Sequence, residues 1–234
     1  NYPAIHPTRP ELSTAGTVVL ITRRCSGIGP KTAHAFATSG ATKISILGRT
    51  ALPPEHQSLH RVPAPRRQVL TFVADITNQG AVKHAFESTK KTFGPVDILV
   101  GNAGYMSDPA PLASTDISEW MMGIDINVRG NLILKLAWTK MTDYFAFENP
   151  NVRVMIVHPG VPGTSMKEKA RDVGLVMPFD DIEMCANFMV WAVSPEEEFL
   201  KGKFIWSNWD VNDLIAKKDE LSASDLTTDL LGWP

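Results

Sequence analysis

The run Val18-Val19-Leu20-Ile21-Thr22 leads into Arg23-Arg24-Cys25-Ser26-Gly27-Ile28-Gly29 and, past Pro30, into the alanine-rich Lys31–Gly40 (KTAHAFATSG). A short β-branched and aliphatic run reads as a strand, the glycines as a tight turn and the segment beyond as a helix. At such a turn Gly27 and Gly29 leave the backbone free of side chains, so it can approach a pyrophosphate. The first turn of the helix adds unpaired N–H groups and a partial positive charge. The same geometry also serves plain strand-to-helix packing, so these residues alone leave both readings open.

In all, strand-like runs stand at Thr17–Thr22, Lys43–Leu47, Gln68–Val73, Val96–Val100, Val152–His158 and Gly202–Ile205, separated by helix-like stretches. They are mostly apolar without strict alternation, as strands are when helices cover both faces of a parallel sheet. The alternation predicts an α/β fold, a doubly wound parallel sheet of the Rossmann type, in one domain over residues 1–234. Pro53, Pro54, Pro63 and Pro65 break up the segment between the second and third runs, so its helix is expected to be short or absent.

Composition narrows the function. With 44% hydrophobic and 21% charged residues, the chain is neither disordered nor fibrous. A net charge of −2 gives no general attraction to nucleic acid or anionic lipid, and neither is expected as a partner. No apolar run approaches the roughly 20 residues of a membrane span. The first sixteen residues lack the basic start and apolar core of a secretory signal. Cys25 and Cys185 are too far apart in sequence to suggest a disulfide framework, which points to reduced thiols and a cytoplasmic location.

The stretch Thr22–Gly29 resembles the TGxxxGIG signature of the short-chain dehydrogenase/reductases, and further motifs appear in that family's order along nearly the whole chain. Asp75-Ile76 after the third strand resembles the pair that meets the adenine. Asn102-Ala103-Gly104 matches the NAG wall of the cofactor cleft, and Asn127-Val128-Arg129-Gly130 the NVxG motif. Pro159-Gly160, with Thr164 downstream, matches the PG motif and the threonine near the nicotinamide amide. The segments ILGRT, DYFAFENPNVRV and FLKGKFIWSNWDV are similar to fungal members. The resemblance implies a nicotinamide cofactor held by Thr22, Ser26, Gly27, Ile28, Gly29, Arg49, Asp75, Ile76, Asn102, Ala103, Gly104, Pro159, Gly160 and Thr164. No metal is implied. Arg49 stands where an NAD-selective member carries an acid. It favours the 2′-phosphate of NADP, with NAD as the alternative; the plainer reading of Arg49 is a solvated loop cation.

Two departures bear on the chemistry. Arg23 replaces the first glycine of the turn, which either crowds the site or places a guanidinium beside it. The family's Tyr-x-x-x-Lys is absent: Tyr2, Tyr105 and Tyr144 are followed four residues on by His6, Pro109 and Glu148. A phenol whose ordinary pKa is about 10 needs a nearby cation to work near neutral pH. The spacing accounts for the loss. Only 32 positions separate Asn127 from Pro159, where two helices, two strands and their connections need roughly 45. A strand and part of a helix are missing. The seam is placed between Leu134 and Lys135, because the stripe Trp120, Ile124, Val128, Leu132 and the stripe Leu134, Trp138, Met141, Phe145 do not share a helical face. With the two helices fused, Val152–His158 is expected to move into the vacant strand position. The resemblance makes Asn127 the holder of the active-site water and Lys135 the catalytic lysine, with Asn131 at the tyrosine position.

The remaining candidates weigh less. His56 and His60 are expected in a solvated loop, and Cys25 as filler. Tyr105 directly follows the NAG motif and would line the cleft, with a small chance of taking over proton transfer. Asp108, Asp116 and Asp125 read as ordinary loop and helix acids. Thr164–Asp181 occupies the place of the substrate lid, where Met166, Leu175, Val176 and Met177 fit an apolar substrate. Trp206 and Trp209 read as core or subunit contacts. The function implied is an NADP-preferring oxidoreductase moving hydride between nicotinamide and a carbonyl or secondary alcohol of a small apolar molecule. The alternative is a protein that keeps the fold without the redox chemistry: a dinucleotide-binding module, a partner subunit, or a non-redox cyclase or isomerase. The family often pairs subunits through the two helices fused here, so the resemblance implies a homodimer and the fusion counts against it.

Overall fold

The computed structural model describes residues 2–23, 27–51, 67–133, 147–164, 169, 171, 174, 178–221 and 225–227. Strand β1 (Val18–Arg23) pairs in parallel with β2 (Lys43–Gly48) on one side and β4 (Ile98–Gly101) on the other. Strand β3 (Gln68–Val73) lies beyond β2, giving the order β3-β2-β1-β4. The unbroken apolar run of β1 has its cause here, since Val18, Val19, Leu20 and Ile21 are all buried although they alternate between the two faces. Helices α1 (Ile28–Thr38) and α2 (Gln79–Phe93) follow β1 and β3. The start of α2 is capped by Asn78, whose side chain accepts the Ala81 N–H at 3.0 Å. Gly94 ends it at a φ of 103°, a conformation open to glycine.

Strands β5 (Ile156–His158) and β6 (Phe204–Trp206) form a second, two-stranded parallel sheet. The Rossmann-type α/β architecture is as expected. The expectation that Val152–His158 would fill the vacant position beside β4 is not met. Among the described residues β4 pairs only with β1, and β5 only with β6. The reason is local pairing: outside the three paired residues, Gly202 N–H donates to Val154 O, Ile156 N–H to Lys203 O and Ser207 N–H to His158 O. These bonds fasten the segment to the β6 strand and its flanks, and crossing to β4 would break all of them.

One apolar layer joins the two sheets. Helix α1 packs on α5 (Ile182–Trp191), and the cluster between them takes Val19, Ile21, Ile44 and Ile46 from the first sheet, Ile205 from the second, and Phe36, Phe188 and Trp191 from the helices. Ile98, Val100 and Val157 pack against it. On the opposite side α3 (Ile117–Ile124) begins at Asp116, whose carboxylate accepts the Ser118 and Glu119 N–H groups. It continues through a π-helical turn, Asp125–Gly130, into the short α4 (Asn131–Ile133). The wider turn breaks the 3.6-residue phasing on which the stripe from Trp120 to Leu132 was drawn. Trp120 and Ile124 are in fact 50% and 38% exposed. The seam at Leu134, the catalytic candidate Lys135, the second stripe and the proline-rich segment Pro53–Pro65 lie outside the described residues. The short helix α6 (Val211–Ala216) follows β6.

A buried acid lies near the second sheet. Glu197 is fully buried, with Arg153 Nη1 2.7 Å from Oε1 as an ion pair, and among the described residues neither carboxylate oxygen meets a donor in hydrogen-bonding geometry. Burial pushes its pKa up to about 8 against the opposing pull of Arg153. The unfolded chain gives up this proton at the ordinary carboxyl pKa and the folded chain keeps it, so stability falls as pH rises from about 4.5 to about 8. Glu197→Gln removes that loss. Urea midpoints of the two proteins should diverge across this window, the unaltered protein losing stability as pH rises while the variant does not. Parallel curves would show that Glu197 is ionised throughout. Cys185 is buried and free, and burial raises its thiol pKa to about 11.

Candidate functional site

The parallel strands end around one shallow cleft, open to solvent, with about 20 Å3 of water-accessible space. Gly48 and Arg49 come from the end of β2, Ala74, Asp75 and Ile76 follow β3, Ala103 and Gly104 follow β4, and Ile126 comes from the π-helical turn. Ligands of open α/β sheets bind at such carboxyl ends. Asp75 Oδ1 accepts both the backbone N–H and the hydroxyl of Thr77, at 2.8 and 2.7 Å, which turns the chain toward α2. Ile76 is nearly buried, and a Cβ on Gly130 would come within 2.7 Å of it, so the glycine is what lets the π-helical turn close on the cleft.

Two side chains build the wall behind. Thr22 is fully buried, and its Oγ1 accepts the N–H groups of Asn102 and Ala103, each at 3.1 Å, while Asn102 Nδ2 donates to Thr22 O at 3.3 Å. Asn127 does the same one residue beyond the motif. Its Oδ1 accepts Tyr105 N–H at 2.8 Å, and its Nδ2 donates to Tyr105 O at 2.7 Å. A π-helical turn is a costly local structure frequent at functional sites, and this one presents Asn127 to the strand end.

The glycine turn and the PG segment meet. Gly27 has a φ of 90° and caps α1, and a Cβ there would stand 3.2 Å from Thr164 Cγ2. Ile28 and Gly29 open the helix; Arg24, Cys25 and Ser26 lie outside the described residues. Pro159 and Gly160 follow β5. Gly160 has a φ of 72°, and a Cβ on it would overlap the Asp180 carboxylate. Asp180 Oδ2 accepts Val161 N–H at 2.6 Å, and His158 Nδ1 accepts Gly160 N–H at 3.1 Å. The His158 ring stacks on Trp206 with centroids 3.8 Å apart.

Tyr105 sits at the rim in a charged group. Its hydroxyl donates to Glu119 Oε1 at 2.7 Å, and Lys169 Nζ lies 5.6 Å from its ring centroid while pairing with Asp108. The hydrogen bond to Glu119 raises the Tyr105 pKa, the opposite of the activation a proton-transferring phenol needs. The three aspartates have structural partners: Asp108 holds Lys169, Asp116 caps α3, and Asp125 pairs with Arg129 at 3.0 Å. Of the residues named from sequence, the cleft gathers Arg49, Asp75, Ile76, Ala103 and Gly104, with Thr22 and Asn102 behind them. Gly27 and Thr164 meet separately, and Pro159 and Gly160 form their own turn. Sequence reasoning missed Ile126, His158 and Asp180 as site residues. His158 ends the strand-like run Val152–His158, directly before the PG motif, whereas Asp180 reaches Val161 from 19 residues away with no local signal. Among the described residues no three metal-binding side chains are grouped, and no helix is long and apolar enough to cross a membrane.

Residues 17–146, more than half of the chain, match the family described as short chain dehydrogenase. The chain belongs to the short-chain dehydrogenase family. This short-chain dehydrogenase is 26% identical to the short chain dehydrogenase mpl6 of Monascus purpureus, over 96% of this chain and 91% of the relative. It is 27% identical to the short chain dehydrogenase/reductase AacuD of Aspergillus aculeatus, over 92% and 89%. The first alignment runs over 267 positions against 234 residues, so the fungal relative holds stretches with no counterpart here. Among solved structures, the oxidoreductase yciK of E. coli superposes with a TM-score of 0.73 at 16% identity, covering 86% of this chain and 98% of that one. A short-chain type dehydrogenase/reductase from Mycobacterium ulcerans gives 0.70 at 20% identity, covering 83% and 89%. The family binds nicotinamide dinucleotides and acts on small molecules. The residues present fit such a group: a cleft at the strand ends, a glycine of positive φ at the helix start, and glycines where a Cβ would close the site.

Proposed function

We propose that this chain is an NADP-preferring short-chain dehydrogenase/reductase that moves hydride between nicotinamide and a carbonyl or secondary alcohol of a small apolar molecule. On this reading residues 1–234 form one dinucleotide-binding domain working in the cytoplasm. The observation that carries it is the cleft at the ends of β2, β3 and β4 with exposed Arg49 on its lining. Arg49 would face the 2′-phosphate, Asp75 and Ile76 the adenine, and Asn102, Ala103 and Gly104 the wall that Thr22 holds. Ser26, Gly27, Ile28 and Gly29 would meet the pyrophosphate, and Pro159, Gly160 and Thr164 the nicotinamide half. When bound, the nicotinamide supplies the two-electron hydride carrier. Asn127 orients the main chain of Tyr105 beside it and is assigned the active-site water, and Lys135 the catalytic lysine.

Fluorescence titration of NADPH and NADH into the purified protein tests the site. Tight NADPH binding with weaker NADH supports the reading, and no binding at high micromolar concentration overturns it. Arg49→Ser should weaken NADPH by about tenfold or more while leaving NADH within about twofold, since a charge-assisted pair contributes about 1.5–3 kcal/mol. An equal loss for both cofactors would make Arg49 a loop cation.

A second reading keeps the fold without redox turnover, as a dinucleotide-binding module, a partner subunit, or a non-redox cyclase or isomerase. The missing Tyr-x-x-x-Lys, the raised Tyr105 pKa and the lack, among the described residues, of a strand paired to both β4 and β5 favour it. A panel of ketones and secondary alcohols with NADPH and NADP separates the two, and loss of any turnover in Lys135→Ala would support that lysine's role. The large apolar residues that α3 leaves exposed, Ile117, Trp120, Met121, Met122 and Ile124, support a homodimer.

A further inference from the structure

The turn after β5 is held by two side chains outside the family signatures. His158 Nδ1 accepts the Gly160 N–H at 3.1 Å, so that nitrogen carries no proton and the imidazole is neutral. Its ring is clamped against Trp206, centroids 3.8 Å apart and planes within 29°, and therefore cannot swing away to find another partner. Asp180 Oδ2 accepts the next amide, Val161 N–H, at 2.6 Å, while Asp180 N–H donates back to Val161 O at 3.2 Å. Consecutive amides of one turn are thus each bonded to a different titratable side chain. Asp180 is the charged group that bears on His158. Strand β6 presents Phe204 and Trp206 to it, and the turn itself presents Pro159 and Gly160, none of which titrates.

We propose that His158 and Asp180 are positioning residues for the Pro159–Gly160 turn, and that the neutral imidazole is the form that sets this turn for the nicotinamide half of the dinucleotide. The inference rests on the dinucleotide reading above. A proton on Nδ1 turns the acceptor into a donor, which breaks the Gly160 bond. The new cation also attracts Asp180, in competition with the Val161 amide. Burial lowers the His158 pKa from its ordinary value, so the competent form prevails at neutral pH and is lost in mild acid.

The test titrates NADPH by fluorescence from about pH 5 to 8 into the full chain, His158→Asn and His158→Ala, alongside proton NMR of the histidine rings and the Gly160 amide. Asparagine keeps an acceptor near the Nδ1 position without titrating, and alanine removes it. If only the neutral form binds, the dissociation constant of the unaltered protein rises about tenfold one pH unit below the His158 midpoint, relative to His158→Asn. His158→Ala binds more weakly at every pH, and His158→Asn recovers most of that loss. An identical pH dependence in the unaltered protein and His158→Asn overturns the proposal, as does a His158 midpoint at or above the ordinary histidine value. Should NADPH bind at no pH, the dinucleotide reading falls and the turn is judged by NMR. A Gly160 amide that shifts with the His158 midpoint, and does not shift in His158→Asn, upholds it. An unmoved amide overturns it.

Discussion

Trp191→Ala is expected to remove about 3–5 kcal/mol of unfolding free energy and to split a single unfolding transition into two. The magnitude follows from position: Trp191 is fully buried, stacks obliquely on Phe188 with centroids 5.2 Å apart, and donates its indole N–H to Glu196 at 3.1 Å. Truncating a buried tryptophan loses transfer free energy and leaves a cavity that the surroundings only partly fill. The splitting follows from architecture. Among the described residues the four-stranded and two-stranded sheets share no ladder bonds, and the layer of α1 on α5 joins them. Loosening that layer lets the β5–β6 unit open before the β1 sheet does. Urea titration followed in parallel by circular dichroism and tryptophan emission checks this. Coincident transitions with a loss below about 1.5 kcal/mol would mean that something besides the α1–α5 layer couples the sheets.

Gly160→Ala should cost about 3 kcal/mol and weaken dinucleotide binding together with stability. A side chain at a φ of 72° carries about 1–2 kcal/mol of backbone strain. The added Cβ would also overlap the Asp180 carboxylate, which must move and abandon the Val161 N–H. These two costs are separable. In an Asp180→Ala background the clash is gone and the alanine should cost only about 1–2 kcal/mol, a coupling readable as a double-mutant cycle. Strictly additive losses would show that strain alone sets the penalty.

Much of this molecule was legible in its residues. Continuous apolar runs such as Val18–Ile21 mark buried parallel strands because both faces must be covered, and six runs foresaw six strands. The cleft at the strand ends was legible through the family resemblance: Asp75 and Ala103 fall in its motifs and Arg49 at the end of the second run, and all three line the cleft. What could not be read depends on contacts between distant segments. Nothing local in Val152–His158 says that its backbone bonds to Gly202–Ser207 outweigh a free edge on β4. Nothing near Asp180 says that its oxygen meets Val161. Likewise the helical stripe through Trp120 and Ile124 assumed 3.6 residues per turn, and the π-helical turn over Asp125–Gly130 departs from that period for reasons set by Ile76 and the strand end.

The segment Tyr2–Leu12 is fastened to residues far along the chain. The Tyr2 hydroxyl donates to Trp209 O and accepts Val211 N–H, Arg9 pairs with Glu196, and Ile5 and Leu12 are buried in the cluster formed with α5 and β6. Every one of these partners is made in the last fifth or so of the chain. These polar partners lie 187 to 209 positions further along the chain, so none of the bonds forms before Glu196–Val211 has been made. Docking of Tyr2–Leu12 onto this region closes long loops, and contacts of that sequence separation are slow to pair. A nascent chain stalled before Trp191 would lack every one of these bonds, leaving Tyr2 and Arg9 without the partners that hold them in the folded protein.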